Sequence, residues 1–496
     1  MKLEPEYCYR AVQARDPRFD GKFFTAVLTT RIFCRPICPA PTPKLEHCRF
    51  FVSAAAAFQG GFRPCLRCQP EVAPHLRMDP GTQAISQAMS LISQGFLDDH
   101  SIKELAEKLQ ISDRHLRRLF IQSLGISPVV FAQTRRILFA KQLLNETPLS
   151  ITDIAFASGF NSLRRFNEAI SQTYGKTPGA LRRRSPEQSN STPEISLKLP
   201  FSSPYHWESM VDFLAPRTIP GVESVTPHSY QRTVEINGDY GIVQVEPVLD
   251  KTYLRATIQF PNLTALAQIV ERLRHVFDLD ANITEIEAHL QQDSLLSPLI
   301  QAKPGVRVLG AWDGFETAVR AILGQQISVA AATRLAGRLV ETYGEPLPFI
   351  GLDHFSNLSR IFPKPATLAK VNLAELGELG LFKTRAHAIT SLAKVLVEQP
   401  NFFQTCSPLE EIIQNLCKLP RIGEWTAHYI ALRVWREPDA FPASDLGLLK
   451  AIYPGQKLTK IQLLTLAQPW QPWRAYGAMH LWMKDFMTVE IRTNCN

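Results

Sequence analysis

Hydrophobic positions recur at threes and fours over residues 82–184, which predicts a run of amphipathic helices. The run contains a weak internal repeat. Ser101-Ile102-Lys103-Glu104-Leu105-Ala106 opens with a capping-box pattern, and Ser150-Ile151-Thr152-Asp153-Ile154-Ala155 resembles it 49 residues later. Gly125-Ile126-Ser127-Pro128 is echoed 50 residues on by Gly175-Lys176-Thr177-Pro178. Each copy reads as a short helix, a tight turn (with Gly159 in the second copy) and a second helix. The two second helices are expected over Asp113–Ser123 and Ser162–Tyr174, with Leu116, Leu119 and Phe120, and then Phe166, Ala169 and Ile170, at core spacing.

From 195 to about 290 the period changes. Val222–His228, Gln231–Ile236, Ile242–Pro247 and Tyr253–Phe260 alternate or run apolar as strands do, Asn237-Gly238 marks a hairpin turn, and a helix follows over Leu263–Phe277. Beyond 281 nearly every strong pattern is helical, as over Phe315–Tyr343 with Gly324 inside it. Arg182–Pro193 is polar, holds two prolines and no large apolar residue, and reads as a linker; Val72–Gly81 is a lesser break. These boundaries give 1–78, 82–184, a linker over 185–196, 197–290 and 291–490. At 496 residues the chain is too long for one core, which agrees with several domains.

Charge is uneven along this plan. Residues 1–184 carry 26 Lys+Arg against 15 Asp+Glu, a net of +11; the remaining residues carry 28 against 31, a net of −3. A basic first third that coincides with two helix-turn-helix patterns points to DNA, with Arg114, Arg117, Arg118, Arg164 and Arg165 on the helices that would enter the major groove. A solvated basic surface is the blander explanation. No apolar run approaches the roughly 20 residues that span a bilayer, and the first ten residues lack the apolar block of a signal peptide. No membrane partner is expected, and the protein is expected in the cytoplasm.

Nine cysteines are present, four of them as Cys34-x3-Cys38 and Cys65-x2-Cys68. Two short pairs of thiols suit one tetrahedral zinc ion, Zn2+. The other five (Cys8, Cys48, Cys406, Cys417, Cys495) are scattered, and Cys48 with His47 fits the spacing poorly. A purely structural clamp is what most four-cysteine sites are. Arg31, Arg35, Arg49, Arg63 and Arg67 crowd these ligands and point instead to a site that faces a phosphate, with Arg35 and Arg67 as DNA contacts.

Phe24–Cys38 together with Gly61–Pro70 closely resembles the metal-binding domain of Ada-type methyl-phosphotriester repair proteins, and residues 82–184 resemble the AraC-type regulator domain. The resemblance implies that all four cysteines bind zinc and that Cys34 also takes a methyl group from a DNA phosphotriester, once per molecule. It further implies that alkylated Cys34 lets the helix-turn-helix pair bind its promoter, with RNA polymerase as the next partner. The chain contains no Pro-Cys-His-Arg sequence, so repair at guanine oxygen is not expected.

In the last part the strongest motif is Leu419-Pro420-Arg421-Ile422-Gly423-Glu424-Trp425-Thr426-Ala427, followed by Asp445 in Phe441-Pro442-Ala443-Ser444-Asp445. Taken alone it is an ordinary helix-loop-helix with an Asp N-cap. With Ala318–Ala330 and Pro472–Tyr476 it resembles the 3-methyladenine DNA glycosylase II family of the helix-hairpin-helix superfamily. The resemblance implies Asp445 as the catalytic residue, Trp425, Tyr429 and Trp482 as base pocket, and Gln326 with Gly423 as DNA contacts. Lyase members carry Lys where Trp425 stands, so a monofunctional hydrolase is expected. Arg421 departs from the Gly-x-Gly hairpin and would be strained at a positive φ.

The expectation as a whole is a multidomain, mainly α protein: a small α/β zinc domain, an all-α double helix-turn-helix domain, an α+β domain and an all-α helix-hairpin-helix glycosylase domain, acting on double-stranded DNA. The alternative is a methylation-activated regulator whose glycosylase half is inactive.

Overall fold

The computed structural model describes residues 3–70, 73, 83–182, 194–348, 357–404, 407–452 and 459–493, with no side chains for 83 and 485–493. Cys406, Cys495, nearly all of the expected 72–81 break and most of the 185–196 linker lie outside those residues. The chain divides into two compact units, one of residues 1–203, 248–274 and 279–282, the other of residues 204–247, 275–278 and 283–496. The expected 197–290 domain is shared between them. Among the described residues no helix is long and apolar enough to cross a membrane.

The first unit begins with a four-stranded sheet in the order β3-β1-β2-β4, formed by β1 (Phe24–Val27), β2 (Ile32–Cys34), β3 (Cys48–Phe51) and β4 (Arg63–Pro64). Phe24, Phe33, Phe62, Ala26 and Ala57 close its core. β2 and β4 run parallel, with Ile32 opposite Arg63 and Phe33 opposite Pro64.

The helical repeat then takes the form its sequence predicts. Ser101 and Glu104 complete the capping box of Ile102–Lys108. Asp153 is one methylene shorter than Glu: Ser150 still caps Ile151–Ala157 through the Asp153 N–H at 3.0 Å, and the Asp153 carboxylate takes the Ser150 hydroxyl at 2.7 Å. The second helices span Asp113–Leu124 and Leu163–Tyr174. Each ends on a left-handed glycine, Gly125 (φ 72°) or Gly175 (φ 66°). Each is followed by a hydroxyl N-cap and a proline at the first helical position, which explains the repeated Gly-x-Ser/Thr-Pro. The long helix Pro128–Glu146 joins the two copies. It also grips β5 (Ile195–Pro200): Gln142 Nε2 donates to the Lys198 carbonyl at 2.9 Å and Glu146 accepts from the Lys198 N–H at 2.9 Å. β5 pairs antiparallel with Tyr253–Gln259. It begins inside the expected linker, where the sequence reading placed no strand.

The second unit contains the meander β6 (Glu223–Thr226), β7 (Ser229–Ile236) and β8 (Asp239–Pro247). Asn237 and Gly238, at φ 54° and 89°, make the two-residue turn between β7 and β8. A buried ion network pins the helix Gly314–Leu323 to these strands. Arg232 reaches Glu316 at 2.8 Å, and Arg320 reaches Glu223 at 2.9 Å and Glu316 at 3.0 Å. The expected continuous helix over 315–343 is two helices, Gly314–Leu323 and Val329–Tyr343. Gln326 turns left-handed (φ 57°) and Ser328 caps the second helix, so apolar periodicity runs on across a loop that the backbone breaks.

Candidate functional sites

In the first unit the parallel register of β2 and β4 decides the metal site. It places Cys34 at the end of β2 beside Cys65 just past β4, with the Cys65 N–H on the Phe33 carbonyl at 3.0 Å. Tight turns then return Cys38 and Cys68 to the same point: the Arg35 N–H donates to Cys68 Sγ at 3.3 Å and the Arg67 N–H to Cys65 Sγ at 3.4 Å. The four sulfurs lie within 4.8 Å of one another. Zinc–sulfur bonds of about 2.3 Å in a tetrahedron put sulfurs about 3.8 Å apart, so the quartet fits one ion. Four thiols this close compete for protons. Hydrogen bonding from Cys34 pulls Cys38 down to about 7 and drives Cys65 lower still, while bonding to the neighbouring sulfurs pushes Cys34 and Cys68 up. A divalent cation relieves that competition by favouring the thiolate at every position. Cys34 remains partly exposed.

One expectation about the surrounding charge is corrected. Arg35 does not face outward: it is buried, its Nε donates to Asp20 at 2.8 Å, and its Nη1 donates to the Cys68 carbonyl at 3.2 Å. A guanidinium with a buried carboxylate partner braces the ligand loop instead of meeting DNA. Arg31, Arg49 and Arg67 are exposed. So are Arg114, Arg117, Arg118, Arg164 and Arg165 on the two second helices, where Arg117 pairs with Asp113 and Arg164 with Glu168 at 2.9 Å each.

In the second unit the hairpin between Leu409–Cys417 and Glu424–Ile430 aims Trp425 and Tyr429 from one face of the latter helix. Four residues apart, they stack with ring centroids 5.7 Å apart and 16° between planes. Asp445, the expected catalytic residue, precedes the helix Leu446–Ile452 and accepts from the Leu448 N–H at 3.0 Å, so it is that helix's N-cap. Its two oxygens also receive indole N–H groups, Oδ2 from Trp425 at 2.8 Å and Oδ1 from Trp482 at 2.9 Å. Tyr429 and Trp482 meet at 6.2 Å and 59°, closing an aromatic enclosure around the carboxylate.

Gln326 and Gly423 lie exposed on neighbouring loops. Gln325 ties these together, donating to the Arg421 carbonyl and to Thr426 Oγ1 at 3.0 Å each, while Arg385 donates to the Gln325 carbonyl. Arg421 adopts φ 64°, the conformation the hairpin demands, and Gly423 is extended at φ −88°.

The sequence reading missed Phe213, Arg217 and Arg433. Phe213 packs on Trp482 at 6.2 Å, Arg217 lies 3.8 Å over the Phe213 ring, and Arg433 donates to the Tyr429 hydroxyl at 3.1 Å. Burial pushes the Tyr429 phenol up, but the charges of Arg433, Arg217 and Arg320 outweigh it and leave the phenol below the ordinary tyrosine value. Phe213 and Arg217 lie far from the hairpin in sequence and carry no motif; for Arg433 the four-residue step from Trp425 through Tyr429 was the one legible signal.

Four family models match the chain: the metal binding domain of Ada over residues 7–71, a helix-turn-helix domain over 105–184, the AlkA N-terminal domain over 196–313, and the HhH-GPD superfamily base excision DNA repair protein over 319–454. A protein of Mycobacterium tuberculosis named "Probable bifunctional transcriptional activator/DNA repair enzyme AlkA" is 37% identical over 487 residues, 96% of each chain. The "DNA-3-methyladenine glycosylase 2" of Escherichia coli is 34% identical over 287 residues, 58% of this chain and 96% of that protein. The solved 3-methyladenine DNA glycosylase of Archaeoglobus fulgidus superposes on 58% of this chain and 98% of its own, with a TM-score of 0.52 at 21% identity, which is a likeness of fold.

Proposed function

The chain belongs to the family of bifunctional transcriptional activator and DNA repair enzymes of the AlkA type, and on that footing we propose that it hydrolyses the N-glycosidic bond of N-alkylated purines such as 3-methyladenine in double-stranded DNA, and that it accepts methyl groups from DNA phosphates on Cys34. The observation that carries the glycosylase reading is the Asp445 carboxylate held between the indole N–H groups of Trp425 and Trp482.

An N-alkylated purine bears a positive charge and leaves as a neutral base, so the charge moves to the sugar as the bond breaks. Asp445 stabilises that sugar cation and orients the attacking water; its three N–H donors fix the carboxylate in place before the reaction begins. The rings of Trp425, Tyr429 and Trp482 receive the flat, electron-poor base by stacking. The base must leave the duplex to reach them, at a cost of a few kcal/mol, and Gln326, on the exposed loop braced by Gln325, fills the gap. Gly423 leads the backbone N–H groups of the following helix toward a phosphate. Trp425 offers no amine for a Schiff base, so water is the nucleophile and the product is an abasic site.

In the first unit, Cys34, Cys38, Cys65 and Cys68 would hold the zinc ion, which would favour their thiolate forms at neutral pH. The Cys34 sulfur attacks the methyl carbon of a phosphotriester; the new S–C bond forms as the C–O bond breaks, and the electron pair returns to the phosphate oxygen. Cys34 becomes a neutral thioether, the ligand cluster loses one negative charge, and it repels the DNA backbone less. The helix-turn-helix pair then binds its promoter through Arg114, Arg117, Arg118, Arg164 and Arg165, aided by Arg67, and presents RNA polymerase with an activator.

The glycosylase reading is tested by incubating the protein with duplex DNA containing N-methylated purines and measuring free base. Wild type releases 3-methyladenine, and Asp445→Asn lowers the rate by about a hundredfold or more. Wild type indistinguishable from Asp445→Asn overturns the reading.

A further inference from the structure

Asp445 stands at the end of a segment, residues 436–445, that has neither helix nor strand. A carboxylate on irregular backbone keeps a fixed place only if the segment beneath it is fastened. Near the start of the segment, Asp439 accepts from Arg474 Nε at 2.6 Å and Nη2 at 2.7 Å, and the Pro438 carbonyl accepts from the Ala475 N–H at 2.9 Å. These bonds hold it to the helix that also carries Trp482. Four residues before Asp445, the Phe441 ring is buried against Trp470, and the Phe441 N–H donates to Nδ1 of His428 at 3.3 Å.

His428 has no part in the reaction as described. It lies on the helix Glu424–Ile430, three residues after Trp425, so the two side chains leave that helix on one side. Trp425 holds Asp445 at 2.8 Å, and His428 holds the same segment four residues earlier. Together they register the carboxylate against the helix that carries two of the stacking rings. The bond to Phe441 also fixes the state of the imidazole. A neutral ring has one N–H and one lone pair. Nδ1 accepts here, so the proton is on Nε2, and a charged ring, which donates from both nitrogens, could not hold the Phe441 amide. The surroundings keep the ring neutral: burial, helped by the Arg474 and Lys460 cations, outweighs Glu424 and Asp439 and pushes it down to about 4. We propose that His428 is a positioning residue for glycosidic cleavage, whose Nδ1 lone pair, acting through the Phe441 amide, sets the place of the Asp445 carboxylate between the two indoles.

This role rests on the glycosylase reading above and deepens it. A carboxylate that drifts by about an ångström loses its hold on the sugar cation, while the aromatic rings still receive the base. The loss therefore falls on the chemical step and not on DNA binding.

The test measures single-turnover release of 3-methyladenine from duplex DNA, and affinity for an abasic-site duplex, in wild type, His428→Leu, His428→Asn, Asp445→Asn and the double variant His428→Leu with Asp445→Asn. Leucine puts carbon where Nδ1 stood, and asparagine puts an acceptor oxygen the same number of bonds from the backbone. His428→Leu is expected to lower release about ten- to a hundredfold with affinity within about threefold of wild type, and His428→Asn to recover most of that loss. In the Asp445→Asn background His428→Leu is expected to cost less than about twofold, because the group it positions is already gone. A His428→Leu rate within about twofold of wild type, no recovery in His428→Asn, or the full loss repeated in the Asp445→Asn background overturns the proposal and leaves the glycosylase reading intact. Should His428→Leu fold poorly by its thermal midpoint, hydrogen exchange in wild type decides. The Phe441 amide is expected to exchange slowly, and exchange at the rate of an unprotected loop overturns the proposal. A wild type that releases no 3-methyladenine overturns the glycosylase reading itself.

Discussion

Arg421 shows how much one backbone angle decides. The hairpin needs a left-handed residue before its buried Ile422, and it has an arginine there at φ 64°. A side chain in that conformation costs roughly 1–2 kcal/mol, part of which glycine's greater freedom in the unfolded chain would return. Arg421 is exposed and its carbonyl still accepts from Gln325, so the arginine keeps the hairpin closed while adding a cation to the expected DNA side. Arg421→Gly is therefore expected to raise stability by about 0.5–1 kcal/mol, seen as a higher urea midpoint, while weakening binding to undamaged duplex and flattening its salt dependence by about one phosphate contact. A lower midpoint would mean the arginine makes contacts that outweigh its strain. The strain was foreseeable from the sequence, because the motif placed a non-glycine at the turn. The burial of Arg35 against Asp20 was not, because charge density near the cysteines says nothing about which cation finds a carboxylate behind it.

At the level of elements, capping chemistry was the most legible signal. Serine before both helices of each copy, glycine after the two second helices and proline at the first turn of the helix that follows each act within a few residues, so the repeat and both second helices follow from local sequence. Gly159 belongs to the same grammar, with φ 88°, but its neighbourhood is tertiary: a Cβ there would stand 2.2 Å from an Asp98 oxygen. Asp98 is the carboxylate that holds Arg135 and Arg136, the latter at 2.7 Å. Gly159→Ala should therefore lower the stability of the first unit by about 3 kcal/mol, combining backbone strain with damage to that ion cluster. A change within 0.5 kcal/mol in chemical denaturation would show that Asp98 moves aside freely. The break at Gly324–Ser328 was less legible. Apolar residues on both sides keep helical spacing, and only the left-handed Gln326 and the Ser328 cap separate two helices that the pattern joins.

At the scale of the whole molecule two chemistries share one chain: a thiolate cluster in the first unit and a carboxylate among indoles in the second. They use different residues and different parts of DNA, and each is expected to run without the other. Cys34→Ala should abolish the single methyl added to the protein by methylated DNA, measured by intact mass, while leaving release of 3-methyladenine within about twofold of wild type. Methyl addition that persists in Cys34→Ala would place the acceptor on another thiol. The retained Asp445, seated between Trp425 and Trp482, argues for an active glycosylase half over the inactive alternative.

The sequence by itself determined what depends on short range: the cysteine pairs, the caps and turns, the Asn237-Gly238 hairpin and the motif that ends in Asp445. Tertiary structure alone decided which distant groups meet. The parallel pairing of β2 with β4 brings the two cysteine pairs to one point. The packing of Phe213 on Trp482 and of Arg433 on Tyr429 gives the enclosure its positive side. Local propensity acts through neighbours along the chain, whereas the field at a site sums charges that folding gathers from anywhere in it.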